Sequence, residues 1–242
     1  MKLTNIFYQP LIGAIAVFLT LSGCSAKFDN SRIYSLNVEA RQYFKQGVEY
    51  ARENKPDDAI KAYTRSITIS PSASAYNNRC VEYTRKGLYD LALSDASKAI
   101  YLSPQYAVAY FNRGNAYFKK NDFTNAVEDY SQAIELDPDQ AEFYFNCGLA
   151  HHKAGSPEKA IVLYQGAVEA DPNYYAAYYN LACIFSLSND TAKALECLEK
   201  AAAAGYHDAE RLKQEPCLNN VRNTDGFRVL LDKLEGKGES PQ

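Results

Sequence analysis

The chain has 242 residues, a formal net charge of −3 and 47% hydrophobic residues. This length allows one or two compact domains or one elongated repeat array, and the composition is that of a folded protein. The acidic balance argues against a broadly basic nucleic-acid binder and against membrane attachment by electrostatics, so any membrane association would need another source.

The first 24 residues have the pattern of an export signal that ends in a cysteine. Lys2 is the only charged residue before Lys27, and residues 11–21 form an apolar run. This run is shorter than the ~20 residues that span a bilayer, but it has the length of a signal-peptide core. Residues 21–24, Leu-Ser-Gly-Cys, resemble the lipobox of bacterial lipoproteins. The resemblance implies cleavage before Cys24 and acylation of the Cys24 thiol.

This pattern predicts a signal peptide at 1–23, followed by a lipid anchor and a tether at 24–36. Two or three acyl chains on Cys24 would hold the mature protein stably at a membrane. Ser25 follows the cysteine where an inner-membrane retention signal would have Asp. The resemblance therefore implies the bacterial envelope, at the outer membrane facing the periplasm. The alternative is ordinary secretion with cleavage after Ala26.

Five units of nearly equal length fill residues 37–208, at about 40–72, 73–106, 107–140, 141–174 and 175–208. Each unit has two amphipathic stretches of helical period, which we call helix A and helix B, joined by a short polar turn. A closing proline recurs through the first four units, and one alanine recurs in all five. Such a fixed period, within a range of about 20–50 residues, is typical of stacked repeats. The alanines are Ala59, Ala92, Ala126, Ala160 and Ala194.

The third unit, 107–140, resembles the tetratricopeptide repeat. The resemblance rests on its aromatic, small and closing positions: Tyr110, Gly114, Tyr117, Ala126, Tyr130, Ala133 and Pro138. Arg113 stands where the family has Leu, which is a departure. The resemblance implies an all-α, right-handed α-solenoid whose concave face is lined by the A helices. A small residue at one point of each A helix, such as Gly114, is expected to let the A and B helices approach closely.

Residues 209–235 carry a further apolar set and resemble the helical end of many bacterial repeat arrays. They are expected to cover the apolar face of the fifth repeat, which has no closing proline. The last stretch, 236–242, contains Gly, Ser and Pro and is predicted to be disordered.

A row of asparagines follows the A-helix aromatics by two positions, with one asparagine in each repeat from the second to the fifth. An amide offers two donors and an acceptor, so such a row can bind the backbone of an extended peptide, as the family resemblance implies for peptide-binding grooves. The alternative is that each asparagine bonds the neighbouring helix and fixes the stacking. The row consists of Asn78, Asn112, Asn146 and Asn180.

Further side chains are expected beside this row on the same face. Exposed aromatics next to amides and cations are a usual composition for a binding surface. The alternative is that some of the aromatics pack between successive A helices. A clamp for a C-terminal carboxylate is disfavoured, because Phe44, Val48 and Glu142 hold its slots. The expected groove residues are Asn115, Lys119, Lys153, Phe111, Phe145 and Tyr179.

No catalytic motif, metal site or cofactor site is predicted. His151 and His152 are adjacent and point about 100° apart on a helix, so they do not converge on one metal. Cys80 and Cys147 are expected to be buried free thiols. Cys183 and Cys197 lie on opposite helices of one repeat and could approach each other. The sequence alone leaves the pairing of the cysteines open.

The sequence thus predicts a non-enzymatic, lipid-anchored adaptor that holds a peptide segment or partner protein, without nucleic acid. One alternative is an assembly factor, similar to a pilotin for a pilus or secretin, or an adaptor for an envelope protease complex. Another is a structural lipoprotein that associates with itself through its open ends. The sequence predicts neither the partner nor the oligomeric state.

Overall fold

A computed structural model describes residues 30–237 of the chain, with side chains from Ser35 onward. The predicted signal peptide, Cys24 and the end of the predicted tail lie outside these residues. Within the described range, regular structure is helical throughout, with thirteen α-helices and one 3₁₀ turn. No described helix is long and apolar enough to cross a membrane.

Five consecutive A–B pairs make up most of the described chain, as predicted for an all-α solenoid. Each helix packs on the next along the chain, and α3 also contacts the A helices on either side of it, α1 and α5. The pairs are α1 (Asn30–Arg52) with α2 (Pro56–Ile69), α3 (Ala73–Arg85) with α4 (Tyr89–Leu102), α5 (Ala107–Lys119) with α6 (Phe123–Leu136), α7 (Ala141–Lys153) with α8 (Pro157–Ala170), and α9 (Tyr175–Leu187) with α10 (Thr191–Ala203).

Helix α1 begins at Asn30, so part of the stretch expected to be a tether, 24–36, is helical. Neither Gly nor Pro interrupts the chain between Asn30 and Gly47. Because no residue in that interval breaks a helix, the first A helix begins several residues before its repeat starts.

Every A helix ends on one residue with left-handed backbone, and this residue recurs at the same place in each of the five repeats. In the first repeat, the N–H of Lys55 donates to the carbonyl of Tyr50 at 2.9 Å, across the turn. Gly and Asn adopt this conformation at the lowest cost, so they close the helix with a Schellman-type cap. The turn from A to B therefore has one length throughout the array. The five residues are Asn54, Gly87, Asn121, Gly155 and Asn189.

The small residue of each A helix faces one side chain of its B helix. A Cβ atom on Gly148 would lie 2.8 Å from the ring of Tyr164, which is closer than real contacts allow. In the second repeat the larger of the two residues is on the A helix. Cys80 takes the place of the glycine there, and Ala96 takes the place of the tyrosine on the B helix. Close approach of the two helices thus depends on matched volumes, as the recurring small residues predict.

The C-terminal segment continues the same register as a sixth, degenerate repeat. It contains α11 (Ala209–Gln214), a 3₁₀ turn (Pro216–Leu218), α12 (Asn219–Arg222) and α13 (Asp225–Leu234). Helix α11 begins one repeat length after the start of α9, and α13 begins one repeat length after the start of α10. Pro216 occupies the small-residue slot and breaks the sixth A helix, because proline lacks an N–H and clashes with the preceding turn. The segment packs against the fifth repeat through buried Leu212, Leu218, Val221, Phe227 and Leu230.

A disulfide joins the fifth and sixth A helices. It links Cys183 to Cys217, which are 34 residues apart and hold the same place in successive repeats. Cys197, which the sequence suggested as a possible neighbour of Cys183, is instead a buried free thiol, like Cys80 and Cys147. Burial raises the pKa of Cys80 to about 12 and those of Cys147 and Cys197 to about 11, so these thiols stay protonated and unreactive at neutral pH.

Candidate functional site

A cavity of about 320 Å³ lies where the first two A helices meet. Val48 and Arg52 of α1 line one side, Asn78 and Val81 of α3 line the other, and Tyr63 of α2 also contributes to the lining. Because all repeats share one register, the same positions recur along the array. We call this surface the A-helix groove. The positions equivalent to Val48 and Val81 in the next three repeats are Asn115, Leu149 and Cys183.

The amides of the asparagine row differ in what they contact. The Asn112 Nδ2 donates to Oδ1 of Asn77, a buried side chain on the preceding A helix, at 2.9 Å. Asn77 in turn donates to Oδ1 of Asn78 at 3.4 Å and to the hydroxyl of Tyr106 at 3.3 Å. In the first half of the groove, these amides therefore hold repeats together, in agreement with the alternative of fixed stacking.

In the fourth and fifth repeats, the asparagines of the row have amide atoms without a hydrogen-bond partner among the described residues. The Asn146 Nδ2 donates to the carbonyl of Glu142 on its own helix at 3.0 Å, which leaves its amide oxygen unused. The half-buried Asn180 makes no hydrogen bond to any residue between 35 and 237. These two amides can accept from and donate to a ligand backbone without breaking a contact between repeats.

Asn115 connects the groove to the B helix beneath it, because the Tyr130 hydroxyl donates to its Oδ1 at 2.7 Å. In the fourth repeat Leu149 replaces this asparagine. The buried hydroxyl of the equivalent Tyr164 consequently lacks a hydrogen-bond partner in the described part of the chain. Burial raises the pKa of Tyr164, so it remains an uncharged donor under the groove.

Of the predicted aromatic anchors, Phe111 packs between A helices, and Phe145 is partly covered by the start of the next repeat. Phe111 is only 7% exposed, and its ring centroid lies 4.8 Å from that of Phe143 on the next A helix. Phe145 is half-buried, 5.2 Å from the ring of Tyr174. The expectation that Phe111 offers an exposed anchor is wrong, because the following repeat covers it.

Tyr179 is also buried, and the C-terminal segment covers it. Its hydroxyl donates to Oε2 of Glu215 at 2.6 Å, and the guanidinium of Arg211 lies 5.2 Å from its ring centre. Burial and the Glu215 carboxylate raise the pKa of Tyr179. The expectation of an exposed Tyr179 is therefore wrong, because the sixth repeat covers it in the way that the fourth repeat covers Phe111.

Lys119 and Lys153 are exposed. Each is the last residue of its A helix and holds the place that Arg52 has at the cavity between α1 and α3. Neither ammonium group is in an ion pair with another described residue. Burial lowers the pKa of the neighbouring His152, with a smaller contribution from Lys153. Among residues 35–237, no His, Cys, Asp and Glu side chains come together in a group that could hold a metal ion.

Arg113, the departure from the repeat pattern, forms a buried ion pair within its repeat. Its Nε and Nη2 donate to Oδ2 and Oδ1 of Asp129 at 2.8 and 2.7 Å, and its Nη1 donates to Ser97 of the preceding B helix at 3.2 Å. The second repeat has the same arrangement with Arg79 and Asp95. Sequence reasoning missed these pairs, although both the Arg and the Asp recur exactly one repeat apart. They fix the central repeats that carry the groove.

Three family models match the chain. One, described as a TPR repeat, matches residues 114–155, and two described as tetratricopeptide repeat match residues 39–72 and 151–214. These matches agree with the repeat pattern in the sequence and with the paired helices of the structure. No curated protein sequence matches this chain.

Solved structures of several repeat proteins are similar in fold. PilF of Pseudomonas aeruginosa is 18% identical with a TM-score of 0.70, covering 84% of this chain and 94% of that one. MamA from Desulfovibrio magneticus RS-1 is 20% identical with a TM-score of 0.62, covering 69% and 94%. YrrB, a TPR protein with an unusual peptide-binding site, is 22% identical with a TM-score of 0.57, covering 72% and 91%. The chain is thus an all-α solenoid of tetratricopeptide repeats.

Proposed function

We propose that this tetratricopeptide array is a non-enzymatic adaptor that binds an extended segment of a partner protein in its A-helix groove. The observation that carries the proposal is the set of polar groups left unused in the third to fifth repeats. The amide oxygen of Asn146 and the amide of Asn180 are on the same series of A helices as the uncompensated cations of Lys119 and Lys153. Such groups suit the backbone and side chains of a peptide, and YrrB, which is similar in fold, is a TPR protein with an unusual peptide-binding site.

Replacing the two available amides tests the proposal. Peptides selected from a random display library on the unmodified protein are expected to bind an Asn146→Ala, Asn180→Ala variant about tenfold more weakly, because each lost hydrogen bond contributes roughly 0.5–1.5 kcal/mol. Fluorescence anisotropy with the selected peptides measures the change.

A matched variant controls for the removal of two amides. Asn219→Ala with Asn223→Ala removes two exposed asparagines of the sixth repeat and should leave the affinity unchanged. The proposal fails if no peptide is enriched on the folded protein, or if the groove variant and the control variant bind selected peptides equally well.

The adaptor is proposed to act at the bacterial envelope, held by acyl chains on Cys24 at the outer membrane. The support is the lipobox-like stretch at 21–24, directly after an apolar run of signal-peptide length. A Cys24→Ala variant is expected to lose all incorporation of labelled fatty acid when expressed in bacteria, because the acylated thiol is gone. Labelling of a Cys197→Ala variant should persist. Continued labelling of the Cys24→Ala protein would exclude the proposed attachment site.

A further inference from the structure

We infer that the A-helix groove selects an acidic peptide segment with carboxylates at every third residue; this inference rests on the proposed peptide-binding function. Its basis is a row of basic residues, one on each of the first four A helices. They recur once per repeat, on the edge of the groove where these helices end. The row consists of Arg52, Arg85, Lys119 and Lys153.

The basic row is not explained by the general preference for cations at helix ends. Basic residues near a helix C-terminus are favoured by the helix dipole, and that preference applies equally to A and B helices. The last turn of each of the first four A helices contains a basic residue. The last turns of the B helices α2, α4, α6 and α8 contain none. The cations are therefore concentrated where the A helices line the groove.

Two neighbouring lysines at the same helix ends have a structural role, because they form ion pairs within the array. Lys86 and Lys120 directly follow α3 and α5, and each forms an ion pair with the first turn of a preceding B helix, at Asp57 and Asp90. Their charges are thus compensated within the array. Arg85 is compensated in part, because its Nη1 contacts the buried carboxylate of Glu82 at 3.0 Å.

The uncompensated charge is greatest at the third and fourth repeats. The place of Glu82 is taken there by Ala116 and Ala150, so no carboxylate lies beside Lys119 or Lys153 at that position. Glu142 is on the same helix as Lys153 but at its opposite end, about 16 Å away at 1.5 Å per residue. Lys153 lies seven residues after Asn146 on the same helix, about 10 Å along its axis, which is within the reach of one extended peptide.

The spacing of the row sets the spacing of the ligand's charges. Helices packed side by side stand about 8–10 Å apart, and a polyproline II chain, which has three residues per turn, advances about 9 Å in each turn. An acidic residue at every third position therefore meets a new A helix each time, and the intervening side chains face away from the row.

Binding of two synthetic peptides tests the inference. One has glutamate at every third position, and the other has the same composition with the glutamates adjacent at one end. The first is expected to bind about tenfold more tightly, which corresponds to 1.4 kcal/mol. Lys119→Gln with Lys153→Gln should abolish this difference, whereas Lys86→Gln with Lys120→Gln removes the same net charge and should preserve it. Raising the salt concentration should weaken the first peptide's binding.

Three outcomes would overturn the inference: equal affinity for both peptides, equal loss in the two lysine variants, or binding to phosphatidylglycerol vesicles but to neither peptide. Library peptides that bind through Asn146 and Asn180, with no need for Lys119 or Lys153, would overturn the acidic specificity alone. The proposed function would then stand, so the two failures are distinguishable.

Discussion

Replacing Arg113 with cysteine is expected to destabilise the protein by about 3–5 kcal/mol, because it leaves the carboxylate of Asp129 buried without a partner. The Asp129 side chain is 7% exposed, and both of its oxygens accept from the guanidinium. Urea unfolding followed by circular dichroism measures the loss. Arg228→Cys breaks an exposed ion pair with Asp225 and should change stability by less than about 1 kcal/mol.

The pH dependence of the Arg113→Cys variant identifies the cause of its instability. Burial raises the pKa of Asp129, and Arg113 opposes this rise in the unmodified protein. Without the guanidinium, the folded-state pKa of Asp129 lies further above its unfolded value. Ionisation then costs stability as the pH rises through the folded-state pKa, and protonation removes that cost. The stability deficit of the variant should therefore shrink as the pH falls from neutral towards mildly acidic values.

In the fourth repeat, an uncharged pair of residues takes the place of this ion pair. There Cys147 and Leu163 hold the places of Arg113 and Asp129, and the Cys147 thiol lies 3.9 Å from the Ser131 hydroxyl. Adding Asp129→Leu to Arg113→Cys copies this pair and is expected to recover stability to within about 1 kcal/mol of the unmodified protein. If the double variant is as unstable as the single one, the loss comes from packing around Arg113 and not from an orphaned charge.

Removing the disulfide by Cys183→Ser with Cys217→Ser is expected to lower the stability of the C-terminal end by about 3–4 kcal/mol, because a cross-link over a loop of this size restricts the unfolded chain by roughly that amount. The bond closes a loop of 34 residues. In a repeat array, each unit contacts only its neighbours, so the effect should be confined to the fifth and sixth repeats. Hydrogen exchange of α11–α13 and limited proteolysis measure it.

Reductant provides the control for this prediction. Treating the unmodified protein with a thiol reductant should reproduce the exchange pattern of the double serine variant, and the variant itself should not respond. Exposure of Tyr179 should accompany the loosening, because Glu215 and Arg211 of the sixth repeat hold its ring and hydroxyl. Protection of α11–α13 that is the same with and without reductant would contradict the prediction.

The repeat period made most of the array predictable from sequence. The alanines, prolines and small residues recur so regularly that the pairing of helices and the close contact at Gly148 follow from spacing alone. The start of α1 at Asn30 was not predictable in this way, because it lies before the first repeat and depends only on the absence of helix-breaking residues.

The groove was harder to predict because position on a helix does not determine exposure. Phe111 has the expected register, yet Phe143 of the next repeat covers it. Tyr179 is covered by a segment whose helical register is hidden by Pro216. Cys183 and Cys217 are one repeat apart, and this spacing indicates their pairing, since residues at the same place in successive repeats lie side by side.

The broken sixth A helix has a consequence for how copies of this protein can meet. Stacked repeats would join copies head to tail, and such an interface generates a ring if the rotation closes and an open filament if it does not. Pro216 interrupts the surface that a seventh unit would need, and the disulfide fixes that interruption in place. The C-terminal end of the array therefore lacks the continuous A helix against which the first repeat of a second copy would pack.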